Sequence, residues 1–514
     1  MASRGARSEK RGATQRYVTF TDSAAFPRAP LYAALPSGSS GLLREAAARR
    51  KAFPYSERHL HCVWFDPGLR PSSLRTRNGE PLQVEHAGTW NQEAGPDFLG
   101  AVLRIGPDKR RVAGDVEIHV HPSDWKAHGH ADDPRYGNVR FHVTYFPGEQ
   151  NDLAQVPDAS QIVLNDTLRA RPDFSFEHID LAAYPYASRA DLPPCSVVLK
   201  HYTPDQRVEV LCAAGEARLQ RKAERLADQI AEKGHAQALY EEVMAALGYK
   251  HNKNAFRHLA MLLPLDELRA ESRNDPRAAY ALLMGVAGLL PEQPSRRWDR
   301  DTRAFMRSLW DHWWRYRARY TACATSLKWR LDGVRPANHP TRRLMGAAHL
   351  FSDDTPFEQR LRKWSNVDTP EWVSHLMNHF SGLRDPYLSF RLGLTGRRRE
   401  QQVALIGPTR AAAIVSNVVL PWWAAMGAPP GRISSALEQL PVEPDNGIIK
   451  QTAFYLFGRD HSPTLYRREL ARQGLIQIFQ DFCLNDRSRC ARCAFPHALE
   501  RHQTAFEAKE RHSD

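Results

Sequence analysis

The sequence predicts an α+β chain. A mixed α/β core with a central sheet is expected over residues 51–150, a large all-α domain over 201–475 and a cysteine-rich metal-binding tail over 476–514. Three observations carry this expectation. Between Leu82 and Tyr145 apolar and polar residues alternate in short runs, the period of half-buried strands. Beyond residue 200 the apolar residues recur at helical spacing, and three cysteines crowd between Cys483 and Cys493. Residues 151–200 read as linker and strands, and residues 1–50 as a disordered basic arm.

The elements of the core follow in order. Ser56 can cap a short helix running to Phe65, and Leu82-Gln83-Val84 is a short strand. Phe98 to Gly106 is a second strand, closed by the turn signal Gly106-Pro107-Asp108-Lys109, so it is expected to pair antiparallel with the next apolar run. In that run, Val116-Glu117-Ile118-His119-Val120, Glu117 and His119 share one face while Val116, Ile118 and Val120 fill the other. Ser123-Asp124-Trp125-Lys126 opens a helix and Asn138 to Tyr145 alternates as a further strand. The succession is α-β-β-β-α-β.

Composition bounds the class. With 514 residues, 42% hydrophobic and 25% charged, the chain is globular and long enough for two or three domains. No apolar run approaches the roughly 20 residues that span a bilayer, and no charged-then-apolar leader follows Met1, so a soluble cytoplasmic protein without membrane contact is expected. Seven cysteines form no disulfide framework and fit a reducing compartment. The net charge of +13 is uneven: residues 1–51 hold ten Lys or Arg against Glu9, Asp22 and Glu45. Such an arm can hold polyanions without sequence preference, although many basic tails only aid solubility. An Arg- and Ser-rich start is also compatible with a mitochondrial-type presequence, against which Glu9 counts.

Asp97 of Gly95-Pro96-Asp97-Phe98 and Glu117 lie 20 residues apart, one at the start of a strand and the other near the end of its partner. Two carboxylates on such a hairpin make a divalent-metal site of the kind used in phosphodiester chemistry. The bland alternative is that acidic residues on adjacent strands are common and that Gly-Pro-Asp is a plain turn.

Two resemblances attach to these residues. Gly95-Pro96-Asp97-Phe98, Val116-Glu117-Ile118-His119, Ser123-Asp124-Trp125, His128-Gly129-His130 and Tyr136-Gly137-Asn138-Val139 resemble an uncharacterised bacterial family, domain of unknown function 2851. That resemblance runs on through Arg335-Pro336-Ala337-Asn338-His339-Pro340 to the C-terminal cysteines, and it brings no function with it. Over residues 50–150 the element order and the Pro-Asp, Glu-x-His pattern are also similar to the PD-(D/E)XK nuclease superfamily, which implies a restriction-endonuclease-like fold. It further implies that Asp97 and Glu117 are metal ligands, with Glu57 matching the acidic residue on the first helix of many members. The ion would be Mg²⁺ or Mn²⁺, the reaction hydrolysis of DNA or RNA by a metal-activated water. His119 departs from that pattern, which has Lys there, and Lys126 on the following helix is the candidate substitute.

The same segment carries His119, His121, His128, His130 and His142. Clusters of this kind ligate transition metals, and Gly114 followed by His119-Val120-His121 is similar to a cupin's first motif. A cupin-like small-molecule metalloenzyme with Glu117, His119 and His121 on Mn, Fe or Zn is therefore a competing expectation. The second cupin motif is missing, and His128 and His130 also read as residues of a turn-rich loop around Ala131-Asp132-Asp133-Pro134.

In the helical part, Thr203-Pro204-Asp205-Gln206 carries an N-cap, a proline at the first helical position and a capping-box Gln. Arg218, Arg221, Lys222 and Arg225 recur at i, i+3, i+4 and i+7, a basic stripe that is either a solvated face or a phosphate-binding wall. Further helices are expected at 236–247, 254–263, 276–290, 301–320, 340–351 and 409–426. Trp310, Trp313 and Trp314 among arginines are core anchors or base-stacking platforms. Arg335, Arg342 and Arg343, with Arg397-Arg398-Arg399, add cationic candidates for a nucleic-acid partner. Finally, Cys483, Cys490, Cys493 and His497 have the spacing of a structural Cys₃His zinc site. The three cysteines are also similar in spacing to the iron–sulfur loop of helix-hairpin-helix DNA glycosylases, whose fourth ligand would fall on Leu499. The function classes left open are a metal-dependent nuclease, a catalytically inactive nucleic-acid-binding or assembly protein of the same fold, and the cupin-like enzyme.

Overall fold

The structure is a computed structural model describing residues 26–33, 53–91, 95–128, 130, 133–148, 159–181, 184–185, 193–324, 327–365, 371–442, 447–484, 490 and 493–501. The strands are β1 (Leu74–Arg75), β2 (Pro81–His86), β3 (Thr89–Trp90), β4 (Phe98–Ile105), β5 (Arg110–His119), β6 (Val139–Thr144) and β7 (Ser160–Val163). The helices used below are α1 (Ala29–Ala33), α2 (Glu57–Phe65), α3 (Asp124–Ala127), α4 (Asn165–Arg169), α5 (Pro194–Lys200) and α6 (Pro204–Lys233).

All seven strands form one mixed sheet in the order β1-β2-β4-β5-β6-β7, with β3 beside β4. The β4/β5 hairpin is antiparallel, as its turn signal implies, while β5/β6 and β6/β7 are parallel. A parallel pair needs a crossover, supplied between β5 and β6 by α3 and the 3₁₀ turn Pro134–Tyr136. The core of this part joins Leu60, Val63 and Trp64 of α2 to Phe98, Leu103, Val116, Ile118, Phe141 and Val143 of the sheet, and it runs on to Ile179, well past residue 150.

Two irregularities flank the middle of β5. The β4/β5 register shifts between Phe98 and Ala101, where Gly100 has φ +66° and its N–H donates to Asp115 Oδ1 at 2.8 Å. The β5/β6 register shifts between Asp115 and Val116. A bulge re-aims the side chains beside it. β5 also differs from the half-buried strand expected: Glu117 and His119 are as deeply buried as Val116 and Ile118, because the crossover covers their face.

A second core gathers the helices from α5 to the C-terminal segment. The capping box at Thr203 is formed, and α6 runs for 30 residues. The expected 301–320 helix breaks after Trp313, whose buried ring lies where Gly285 has no Cβ. Trp314 is exposed beneath Arg317, so the tryptophans divide between core and surface. The N-terminal arm is corrected in one stretch: Phe26, Ala29 and Tyr32 are buried in the helical core, and Tyr32 donates to Asp481 Oδ2 at 2.9 Å. The rest of that arm, and Gly129, Ala131 and Asp132, lie outside the described residues. Among the described residues no helix is long and apolar enough to cross a membrane.

The helix Glu469–Ile478 crosses α6 with glycine against backbone on both sides. A Cβ on Gly215 would lie 2.2 Å from the Leu470 carbonyl oxygen, and one on Gly474 would lie 1.9 Å from that of Leu211. Gly474→Ala is therefore expected to cost roughly 2–3 kcal/mol, read as a lower thermal midpoint. Gly431→Ala, whose Cβ would meet nothing within 4 Å, serves as the control. Equal midpoints for the two variants would contradict this packing.

Candidate functional site

The two carboxylates come together. Asp97 closes the approach to β4, and its N–H donates to Glu117 Oε2 at 3.2 Å; in return Asp97 Oδ2 accepts from the Ile118 N–H at 2.8 Å. Glu57, at the start of α2, is close enough to repel the Glu117 charge. One turn along α2, His61 Nε2 lies 3.2 Å from Asp97 Oδ2. Glu57 and His61 are an i, i+4 pair and so share a helix face. That spacing was visible in the sequence, and His61 is the site residue that sequence reasoning passed over.

Around the second Glu117 oxygen stands a group of imidazoles. Oε1 lies 3.1 Å from His130 Nε2 and 3.5 Å from His119 Nε2. His119 is buried at 1% exposure between two others: its Nδ1 lies 2.9 Å from His142 Nε2 and its Nε2 lies 3.2 Å from His128 Nδ1. Ligand atoms of His119, His128 and His130 all fall within 4.8 Å of one another. Tyr136 stacks on His130 at 3.9 Å between centroids, and Trp125 of α3 packs its ring against His119, His130 and His142.

The electrostatics follow from burial. Desolvation first, then the charges of Asp97 and Glu57, hold the Glu117 carboxyl well above the usual carboxylate range. Desolvation and the neighbouring imidazoles push His119 well below its usual value and bring His130 and His142 to about 4. At neutral pH these imidazoles are uncharged and offer lone pairs. The ion-pair partners of Asp97 and Glu117 among the described residues are histidines. The imidazoles beside the Glu117 carboxyl, those of His119 and His130, thus carry no compensating charge.

A divalent ion fits this donor set. The Nε2 atoms of His61 and His130 are buried and make no hydrogen bond although each stands within 3.2 Å of a carboxylate oxygen. Two ligands bound to one ion at about 2.1 Å lie about 3 Å apart, the separation seen here. Oxygen from Asp97 and Glu117 with nitrogen from His119, His128 and His130 suits Mn²⁺ and its transition-metal neighbours better than Mg²⁺, which favours an all-oxygen sphere.

The other expected residues are placed differently. Lys126 is exposed on α3. His121 leaves the strand, stacks on Phe146 at 4.8 Å, and its N–H caps Asp124, so it does not join the His119, His128 and His130 group. Three members of the basic stripe are engaged by helices packed on it, while Arg221 is exposed and pairs with Asp481. Arg218 donates to Gln473, Gln477 and Gln480, Lys222 to Asn417, and Arg225 to Glu242. Arg342 and Arg343 are corrected in the same way: both are buried and donate to backbone carbonyls, Arg342 to those of Leu388, Arg391, Val403 and Ala404 and Arg343 to that of Leu405. Arg335 and Arg397-Arg398-Arg399 are exposed. His497 is 74% exposed and pairs with Glu500, so it is turned to solvent.

Residues 57–442 match the family described as protein of unknown function (DUF2851), and the protein belongs to that family. The match begins at Glu57, takes in the whole candidate site and ends before Cys483. No curated protein and no solved structure matches the chain.

A metal held by Glu117 must displace the proton that the raised carboxyl favours, so affinity rises with pH. Adding Mn²⁺ to the chelator-treated protein is expected to raise its thermal midpoint, by an amount worth about 2.7 kcal/mol at a hundredfold excess over Kd, and more at pH 8 than at pH 6. Glu117→Gln removes the gain. A gain independent of pH, or kept in Glu117→Gln, would place the ion elsewhere.

Proposed function

We propose that the sheet domain is a metal-dependent phosphodiesterase acting on DNA or RNA, with Asp97 and Glu117 as its central ligands. The observation that carries this reading is the convergence of Asp97, Glu117 and Glu57 from a hairpin and the preceding helix onto one imidazole-rich pocket. The order α2, β2, β4, β5, α3, β6, with β5 parallel to β6, supports a restriction-endonuclease-like core. A cupin is a jelly roll of antiparallel strands, and the parallel pairs of this open sheet speak against that alternative.

The bound ion supplies Lewis-acid polarisation of a phosphoryl oxygen and lowers the pKa of a coordinated water. The chain's residues do the rest. The Ile118 N–H holds Asp97 Oδ2 and the Asp97 N–H holds Glu117 Oε2, so both carboxylates are oriented by backbone donors. His119 stands at the lysine position but is neutral, so it offers the ion a nitrogen lone pair and does not replace that lysine's charge. The contacts of His119 with His142 and with His128 hold the imidazoles in orientation around the carboxylates. Exposed Arg335 and Arg397-Arg398-Arg399 remain as contacts for a polyanionic substrate.

The test is cleavage of single- and double-stranded DNA and RNA by the purified protein with Mn²⁺ or Mg²⁺. Mn²⁺ is expected to support the faster reaction, and Asp97→Ala or Glu117→Ala to lower it by a factor of about 100 or more. Metal binding without cleavage of any substrate would favour the inactive, nucleic-acid-binding reading.

A further inference from the structure

The tail cysteines have a partner that spacing along the chain did not reveal. Cys195, the second residue of α5, is buried at 8% exposure in the helical core against which Cys493 packs. Contacts on either side of it bring the chain's end to this place. Tyr202, just past α5, donates to the Leu499 carbonyl at 2.6 Å, and Phe482 packs on Phe495 with centroids 4.7 Å apart. Cys483 ends the π-helical turn Phe479–Cys483, and the Cys493 N–H donates to the Cys490 carbonyl at 3.3 Å, folding the Cys-x2-Cys segment back on itself. Turns of the π type recur at functional sites.

Every pair among Cys195, Cys483, Cys490 and Cys493 is within electrostatic reach. Cys195, Cys483, Cys490 and Cys493 are free thiols. The spread of the four sulfurs distinguishes between metals. One zinc at about 2.3 Å from each sulfur would draw them to about 3.8 Å of one another. Among the described residues only the histidine group closes to within 4.8 Å, so no three of the sulfurs stand as close together as one zinc would draw them. A cubane cluster carries one outward thiolate on each of its four irons and needs such a spread.

We infer that Cys195, Cys483, Cys490 and Cys493 form a four-thiolate metal centre that holds a [4Fe–4S] cluster, with Cys195 and not His497 as the fourth ligand. Binding releases the thiol protons and the iron supplies the positive charge that the buried sulfurs lack. The centre ties the segment that leaves the sheet domain to the C-terminal tail, and so closes the helical domain on itself. It is independent of the ion at Glu117.

The test uses the full chain purified without oxygen. About four irons and four acid-labile sulfides per chain are expected, with visible absorbance that bleaches on reduction. Cys195→Ala should lose both, whereas His497→Ala and Cys212→Ala, a buried thiol outside the group, keep them. Should Cys195→Ala fail to fold, thiol alkylation of the wild-type protein read by mass spectrometry decides. Cys195 must be protected together with Cys483, Cys490 and Cys493 and be released with them when the iron is removed. A single zinc without sulfide, a protein free of metal, or a Cys195 that labels while the other three stay protected would each overturn the assignment.

Discussion

Glu117 is a carboxylate at 5% exposure in the middle of a sheet, held beside Asp97 and Glu57 and faced by neutral imidazoles. Burying a charge among like charges is costly unless a counter-charge is present. Every unusual feature around it relates to that constraint. The bulge at Gly100 sets the phase of β4 against β5 so that Asp97 and Glu117 meet, the register shift at Asp115 falls between β5 and β6, and the crossover through α3 covers the face the carboxylates share. Gly114 leaves room for the side chain of Arg140, which a Cβ would meet at 2.3 Å, so the two strands can approach there.

The helical domain handles charge in the opposite way. Arg218, Lys222, Arg225 and Arg342 are turned inward and bonded to glutamines, Asn417, Glu242 and backbone carbonyls, which makes them structural cross-links. Net positive charge at the level of composition therefore overstates the charge available to a partner. What remains outward includes Arg303 and Arg307 on a helix and Arg397-Arg398-Arg399 in a loop.

Local signals were legible in the sequence and distant ones were not. The alternation in Val116-Glu117-Ile118-His119, the turn at Gly106 and the capping box at Thr203 are written within a few residues, and each formed where expected. The same holds for the meeting of Asp97 with Glu117, since a hairpin fixes its own register. The fate of Arg218 depended on Gln473, 255 residues away, and no spacing rule along one helix reports such a partner. The approach of Cys195 to the tail cysteines is distant in the same sense, since it depends on contacts such as that of Tyr202 with Leu499, 297 residues away. Between these lies His61, whose i, i+4 relation to Glu57 was local but was hidden by its apolar neighbours in α2.

X-ray absorption on the Mn²⁺-loaded protein tests the central claim most directly. A sphere of mixed oxygen and nitrogen ligands with the outer-shell scattering of imidazole, lost in Glu117→Ala, is the expected result. An all-oxygen sphere without imidazole, or one unchanged in Glu117→Ala, would contradict a centre built on Glu117 and its histidines.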